Sequence, residues 1–147
     1  FIDSTSPGEL ICIATDDSNA SAFWGELFSA AARGRKAVGM LTDGNIRDSD
    51  KIEALGFSVF SRGRRPIDFR GRMKLASHQS AVVIGGVEIC PGDLVAADDD
   101  GVVVIPQAHE SEIIALARER ASGESTVLDE LLAGSTLRAV WTKHGIL

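Results

Sequence analysis

The sequence predicts an α/β fold, and three features carry that prediction. Two short apolar runs, "ELICIA" at 9–14 and "AVGML" at 37–41, flank a segment whose apolar residues recur at helical spacing. From Ala81 to Pro106, β-branched runs alternate with Gly-Gly, Pro-Gly and Asp-Gly pairs. Residues 107–147 read as an amphipathic, helical C-terminal tail. A strand, a helix and a strand in succession favour parallel pairing with a right-handed crossover, whereas tight turns between β-branched runs favour antiparallel hairpins. A chain of 147 residues, 44% of them hydrophobic, can bury one core, so a single domain over 1–147 is expected.

In chain order, Pro7-Gly8 is a turn pair, and "ELICIA" after it is short and apolar enough for a buried strand. The polar "TDDSNAS" offers several helix caps. Phe23, Trp24, Leu27, Phe28, Ala30 and Ala31 then place an amphipathic helix over 20–33. "AVGML" is the second buried strand. Asp50 as cap, Ile52 and Leu55 on one face and Gly56 as a stop give a short helix. "FSVFS" alternates as a strand does. Residues 62–74, "RGRRPIDFRGRMK", crowd Arg among Gly and Pro and read as a long solvated or interface loop. "AVVI", "VEIC", "LVAA" and "VVVI" form an antiparallel β-unit. "ESEIIALARERA", "TVLDELLAG" and "TLRAVWTKHGIL" supply the helices of the tail. "PGDLVAADDD" from residue 91 echoes "PGELICIATDD" from residue 7, which suggests two similar turn-strand units.

Several function classes fall away on composition. No apolar run reaches transmembrane length and no signal-peptide pattern opens the chain, so no membrane partner and a cytoplasmic setting are expected. Phe1 in place of Met suggests a trimmed start. The net charge of −6 makes nucleic acid an improbable partner. Cys12 and Cys90 sit in apolar runs as reduced core residues do, and make no zinc spacing. His78, His109 and His144 show no ligand spacing, and "DDDG" at 98–101 lacks the later Glu of a calcium loop.

What remains is "DGNIRDSD" at 43–50. Neighbouring side chains on a strand point to opposite faces, so Arg47 and Asp48 can serve one site only if the backbone bends, and Gly44-Asn45 makes a bend plausible. The pair would then lie at the carboxyl end of the "AVGMLTD" strand, where open α/β sheets bind ligands. Taken alone, an Arg-Asp pair at a turn is more often a surface ion pair. Gly25 near the first helical turn would let an anion approach the amides of Glu26, Leu27 and Phe28. Glu26 and Asp48 with Arg47 between them suit a divalent cation plus an anion. The plainer alternative is a packing glycine followed by an acid that the helix dipole favours.

The block "WGELFSAAARGRKAVGMLTDGNIRDSDKIEALGFSVFSRG", followed by "GGVEICPGDLVAADDDGVVVIP", resembles the RraA-like family, which includes the 4-hydroxy-4-methyl-2-oxoglutarate aldolases. The resemblance runs through nearly the whole chain to the closing "GIL", although members usually carry a longer N-terminal portion. It implies a swivelling β/β/α domain, assembled as a trimer or hexamer. It also implies Mg2+ or Mn2+ held directly by Asp48 and through water by Glu26, with Arg47 on the keto or enolate oxygen of a pyruvate-like unit. The substrate carboxylate would meet the amides after Gly25, and Glu124 from a neighbouring subunit would complete the site. Where the family's aldolases most often have Asp, this chain has the longer Glu26. The implied function is a class II aldolase or lyase that releases pyruvate from a small 2-oxo acid, with oxaloacetate decarboxylase activity through the same enolate. The alternative is a non-catalytic regulator binding a ribonuclease or another protein.

Overall fold

The computed structural model describes residues 1–146, which form two compact units, Phe1–Val104 and the chain from Ile105 on. In the first unit the order is β1 (Leu10–Ile13), β2 (Ala22–Trp24), α1 (Glu26–Gly34), β3 (Gly39–Thr42), β4 (Asn45–Ile46), α2 (Ser49–Ala54), β5 (Ser58–Phe60) and β6 (Gly63–Arg64). The odd-numbered strands make one parallel sheet, β1-β3-β5, and the even-numbered ones a second, β2-β4-β6. Each pass along the chain therefore contributes one strand to each sheet, and a helix follows the first two passes. That alternation is the β/β/α pattern implied by the resemblance, and the parallel pairing of "ELICIA" with "AVGML" is as the sequence predicts: Leu10 lies opposite Gly39 and Ile13 opposite Thr42.

The helix expected over 20–33 begins later. Ala22, Phe23 and Trp24 are a buried strand instead, and the helix starts after Gly25. Helical spacing is ambiguous where three bulky residues run together: Phe23 and Trp24 are 8% and 0% exposed because both faces of this short strand are covered. Trp24, Phe23, Met40, Ile46, Ile52 and Phe57 form the core, with Phe28 and Phe69 packed against it. Trp24 stacks on Phe57 at 6.4 Å and meets Phe28 edge-on at 5.6 Å. Its indole N–H donates to Ser29 Oγ at 2.7 Å, so its one polar atom is satisfied inside the core.

Downstream lie β7 (Val82–Ile84), β8 (Val87–Ile89), β9 (Leu94–Ala97) and β10 (Val102–Ile105). β7 and β8 pair antiparallel about Gly85-Gly86, and β9 pairs with β10 across the Asp98–Gly101 turn. Gly8 and Gly92, the glycines of the two echoing Pro-Gly turns, both have positive φ, 88° and 98°. The echo holds for the turns, while the strands that follow pair differently.

In the second unit, α3 (Glu110–Leu132) runs unbroken where two helical segments are expected. Gly123 does not end it. A Cβ there would come within 2.6 Å of Ile146 Cδ1, so the glycine admits an apolar contact that offsets its low helix propensity, a deficit of about 1 kcal/mol. α4 (Leu137–His144) is capped by Thr136 Oγ1, which accepts from the Ala139 amide. Glu130 on α3 accepts from Lys143 at 2.6 Å and meets His144 at 3.0 Å, and those partners hold its carboxyl below the usual range. Among the described residues no helix is long and apolar enough to cross a membrane.

The two cysteines differ in kind. Burial pushes the Cys12 thiol, on β1, up to about 11, whereas Cys90 is exposed. Because the thiolate is the reactive form, a disulfide reagent at pH 8 should modify Cys90 alone in the native protein and both thiols in denaturant. Rapid native modification of Cys12, read by peptide mapping, would contradict the placement of β1 in the sheet.

Candidate active site

Only two residues link β4 to α2, and they are Arg47 and Asp48. Asp48 takes the left-handed conformation, φ 56° and ψ 35°, which Asp tolerates better than most side chains. The bend expected at Gly44-Asn45 therefore falls on Asp48 itself. Asn45 instead continues into the second sheet, so the pair follows β4 and not the end of the "AVGMLTD" strand. With the backbone turned at Asp48, the two adjacent side chains face one place, and Arg47 Nε lies 3.9 Å from Asp48 Oδ2.

Arg47 is held from several directions. Its amide donates to Trp24 O at 2.9 Å, and its Nη1 donates to Ala22 O at 2.6 Å. Nη2 lies 3.8 Å from Asp68 Oδ2, and the guanidinium carbon sits 5.8 Å from the centre of the Phe69 ring. Its side chain is 28% exposed. With Nη1 hydrogen-bonded to Ala22 O and the Asp48 and Asp68 carboxylates at 3.9 and 3.8 Å, the guanidinium keeps N–H donors for a ligand oxygen.

Asp48 Oδ2 accepts the Glu26 amide at 3.3 Å, so the cap of α1 comes from the neighbouring element. Gly25, the N-cap residue, is extended, and its reason is space: a Cβ would sit 2.8 Å from Asp48 Oδ2 and 3.1 Å from Arg47 Cγ. The three amides expected to face an anion thus reduce to two, those of Leu27 and Phe28, because the Glu26 amide serves Asp48. The Leu27 side chain is exposed, while Phe28 packs on the core. The Glu26 carboxylate meets Lys51 Nζ at 3.1 Å. That hydrogen bond, with the charges of Glu26 and Asp48, holds the Lys51 ammonium above its usual range.

Glu26, Arg47 and Asp48 lie together, the Glu26 amide and Arg47 Nε both facing Asp48 Oδ2. Glu124 lies in the second unit, on α3, where it accepts from Arg120 at 2.6 Å. Three neighbours went unpredicted: Lys51, Asp68 and Phe69. The i, i+3 spacing of Asp48 and Lys51 across a helix start could have signalled the first. Nothing local signals the other two, because the loop at 62–74 reaches the site through tertiary pairing. Within that loop Arg62 bonds Asp17 at 2.9 Å, Arg65 bonds Asn19 at 3.0 Å and Arg72 bonds the Asp68 carbonyl at 3.0 Å, so several of its arginines fasten the loop. Asp43, the first residue of the "DGNIRDSD" stretch, is structural: it accepts the amides of Thr15 and Asp17 and the Thr15 hydroxyl.

Among the described residues no group of three His, Cys, Asp or Glu is placed to hold a metal. The donors present, Asp48 with Glu26 near it, fit Mg2+, which needs only one or two carboxylates and keeps its waters, and do not fit an all-protein cage.

The RraA-like family, described as Aldolase/RraA, matches residues 1–104. A Halalkalibacterium halodurans protein named "Putative 4-hydroxy-4-methyl-2-oxoglutarate aldolase" is 31% identical over 87% of this chain and 62% of its own length. An uncharacterized Pseudomonas syringae protein has a solved structure that is 31% identical, with a TM-score of 0.92 over 95% of this chain and 70% of that one. Streptomyces coelicolor RraAS2, from the RNase ES inhibitor RraA family, is 28% identical with a TM-score of 0.78 over 85% of this chain and 64% of that one. The chain spans 22%, 62% and 57% of three curated relatives, so each is longer than the match.

The crowding at Gly25 makes a prediction. Gly25→Ala should cost about 1–2 kcal/mol, because Asp48 must swing off the Glu26 amide. In an Asp48→Ala background the same substitution should cost clearly less by urea unfolding, the remainder reflecting the 3.1 Å approach to Arg47 Cγ. Equal costs in both backgrounds would show that Asp48 does not fill the space above Gly25.

Proposed function

This chain belongs to the RraA-like family, and from that premise we propose that it is a divalent-cation-dependent lyase releasing pyruvate from a small 2-oxo acid. The observation that carries the reading is the convergence of Arg47 and Asp48 on the N-terminus of α1, where the Leu27 and Phe28 amides remain as donors. Those amides and the positive end of the helix suit a substrate carboxylate. Arg47 then presents N–H to the keto oxygen and stabilises the negative charge that gathers there as the C–C bond breaks. Bound Mg2+ or Mn2+, held by Asp48 and through water by Glu26, would add Lewis acidity.

In the aldol cleavage a proton leaves the C4 hydroxyl, the C3–C4 bond breaks, and C3 of the pyruvate enolate takes up a proton. From oxaloacetate the same enolate follows loss of carbon dioxide. Solvent water is the proton acceptor in this reading. Lys51 is paired with Glu26, His78 meets Ser4 Oγ at 3.3 Å, and His144 pairs with Glu130. In the trimer or hexamer we propose, Glu124 from a second copy would supply a further carboxylate. Large apolar side chains exposed on the single chain's α3 and α4, such as Leu128 and Trp141, suit such an assembly.

The other reading, a regulator that binds a ribonuclease or another protein, has the Streptomyces relative's name behind it. The two separate on Asp48. Pyruvate release from oxaloacetate and from 4-hydroxy-4-methyl-2-oxoglutarate should require Mg2+ and stop with a chelator. Asp48→Ala should lower it by about a hundredfold or more, while costing only about 1 kcal/mol of stability as a lost cap. Turnover unchanged in that variant would reduce Asp48 to a helix cap and leave the metal role without support.

A further inference from the structure

The site residues so far lie on β4, α1 and α2, yet the chain at 65–73 is tied to the same place. The Arg65 amide donates to Ile46 O at 2.9 Å, and the Ala22 amide donates to Ile67 O at 2.8 Å. Ala22 and Asp68 form a parallel bridge, so this segment lies beside β2 as an extra rung of the second sheet. Ala22 is also the residue whose carbonyl takes Arg47 Nη1. One residue of β2 therefore fixes both the arginine and the segment that carries its second anion.

The Asp68 carboxylate is itself oriented. Its Oδ1 accepts the Arg70 amide at 2.7 Å, which leaves Oδ2 directed at Arg47 Nη2, 3.8 Å away. Phe69, the next residue, packs on Phe28 at 5.9 Å and presents its ring to the same guanidinium. The amides of Arg72 and Met73 both return to the Phe69 carbonyl and close the turn behind it.

We propose that Asp68 is a positioning residue, which with Phe69 fixes the plane of the Arg47 guanidinium so that its remaining N–H bonds face the reacting oxygen. The proposal rests on the reading of Arg47 as the donor to that oxygen. A carboxylate on the far terminal nitrogen and a carbonyl on the near one set two points of a planar group, and two points with an aromatic face leave it one orientation. Asp68 also places a negative charge on that flank, so a substrate carboxylate is turned away from it and toward the amides of α1.

The test reads Arg47 directly and does not depend on turnover. In native protein the Arg47 Nε–H should give a resolved, ordered NMR signal, and Asp68→Asn, which keeps size but removes charge, should lower its order parameter below about 0.6. Exchange of the Ala22 amide should not change, because its bond to the Ile67 carbonyl does not involve the carboxylate. In oxaloacetate turnover Asp68→Asn should lower kcat about tenfold with KM within about twofold, and Asp68→Glu should recover part of the loss. An Arg47 signal as ordered in Asp68→Asn as in native protein would overturn the proposal, as would loss of Ala22 protection in that variant, which would make Asp68 a fastener of the loop. If native protein releases no pyruvate but Arg47 still loosens in Asp68→Asn, the lyase reading fails and the positioning role stands.

Discussion

Trp24 is the residue on which both core and site depend. Its ring is fully enclosed between Phe57, Phe28 and Phe23, each aromatic contact contributing about 0.5–1.5 kcal/mol beyond burial. Its indole N–H is bonded to Ser29 on α1, which fixes the helix to the strand before it. Its carbonyl accepts the Arg47 amide, and the next residue is Gly25, where α1 begins. The strand end, the helix start and the catalytic candidate thus share one side chain's placement. A looser ring would move all three together, since interiors pack densely and transmit such shifts.

From that anchor the site acquires its electrostatics by successive layers. The short second sheet sets Trp24, Ile46 and Arg64 in register, and there the Trp24 carbonyl accepts the Arg47 amide and the Ile46 carbonyl the Arg65 amide. Arginine suits position 47 because its planar head can meet a carbonyl, a carboxylate and an aromatic face at once, which the point charge of a lysine cannot. The left-handed backbone at Asp48 stores local strain, and sites that hold such strain are over-determined by their surroundings. Here the surroundings are the α1 amide, the Arg47 side chain and the start of α2.

Much of this was legible in the residues. The parallel β1-β3 pair follows from apolar runs separated by a helix, and the downstream hairpin of β7 and β8 follows from Gly85-Gly86. The grouping of Glu26, Arg47 and Asp48 was one of two readings that the residues allowed, and the resemblance to the family, more than local pattern, singled it out. β2 was not legible: three residues are too few to show a period, and Phe23 and Trp24 fit a helical face as well as a buried strand. Asp68 and Phe69 were hidden for a different reason. A single parallel bridge to Ala22, forty-odd residues away, leaves no mark in a local pattern, and a run of arginines reads as solvated surface until their partners are known.

Position 26 shows how one methylene group alters a site. Glu26 reaches Lys51, which lies one turn into α2, and an aspartate on the same backbone would stop short of it. Glu26, Asp48 and Asp68 oppose Arg47 and Lys51, so the cluster carries one net negative charge where an all-acidic cluster would carry more. That residual charge still favours a cation, but Lys51 competes with it for Glu26. If the proposed metal role holds, the longer acid would serve both, because its side chain has the rotamer freedom to leave the lysine. In the lyase proposed above, Lys51 would temper affinity for the metal, and direct coordination would fall to Asp48, whose carboxylate is already directed by the α1 amide.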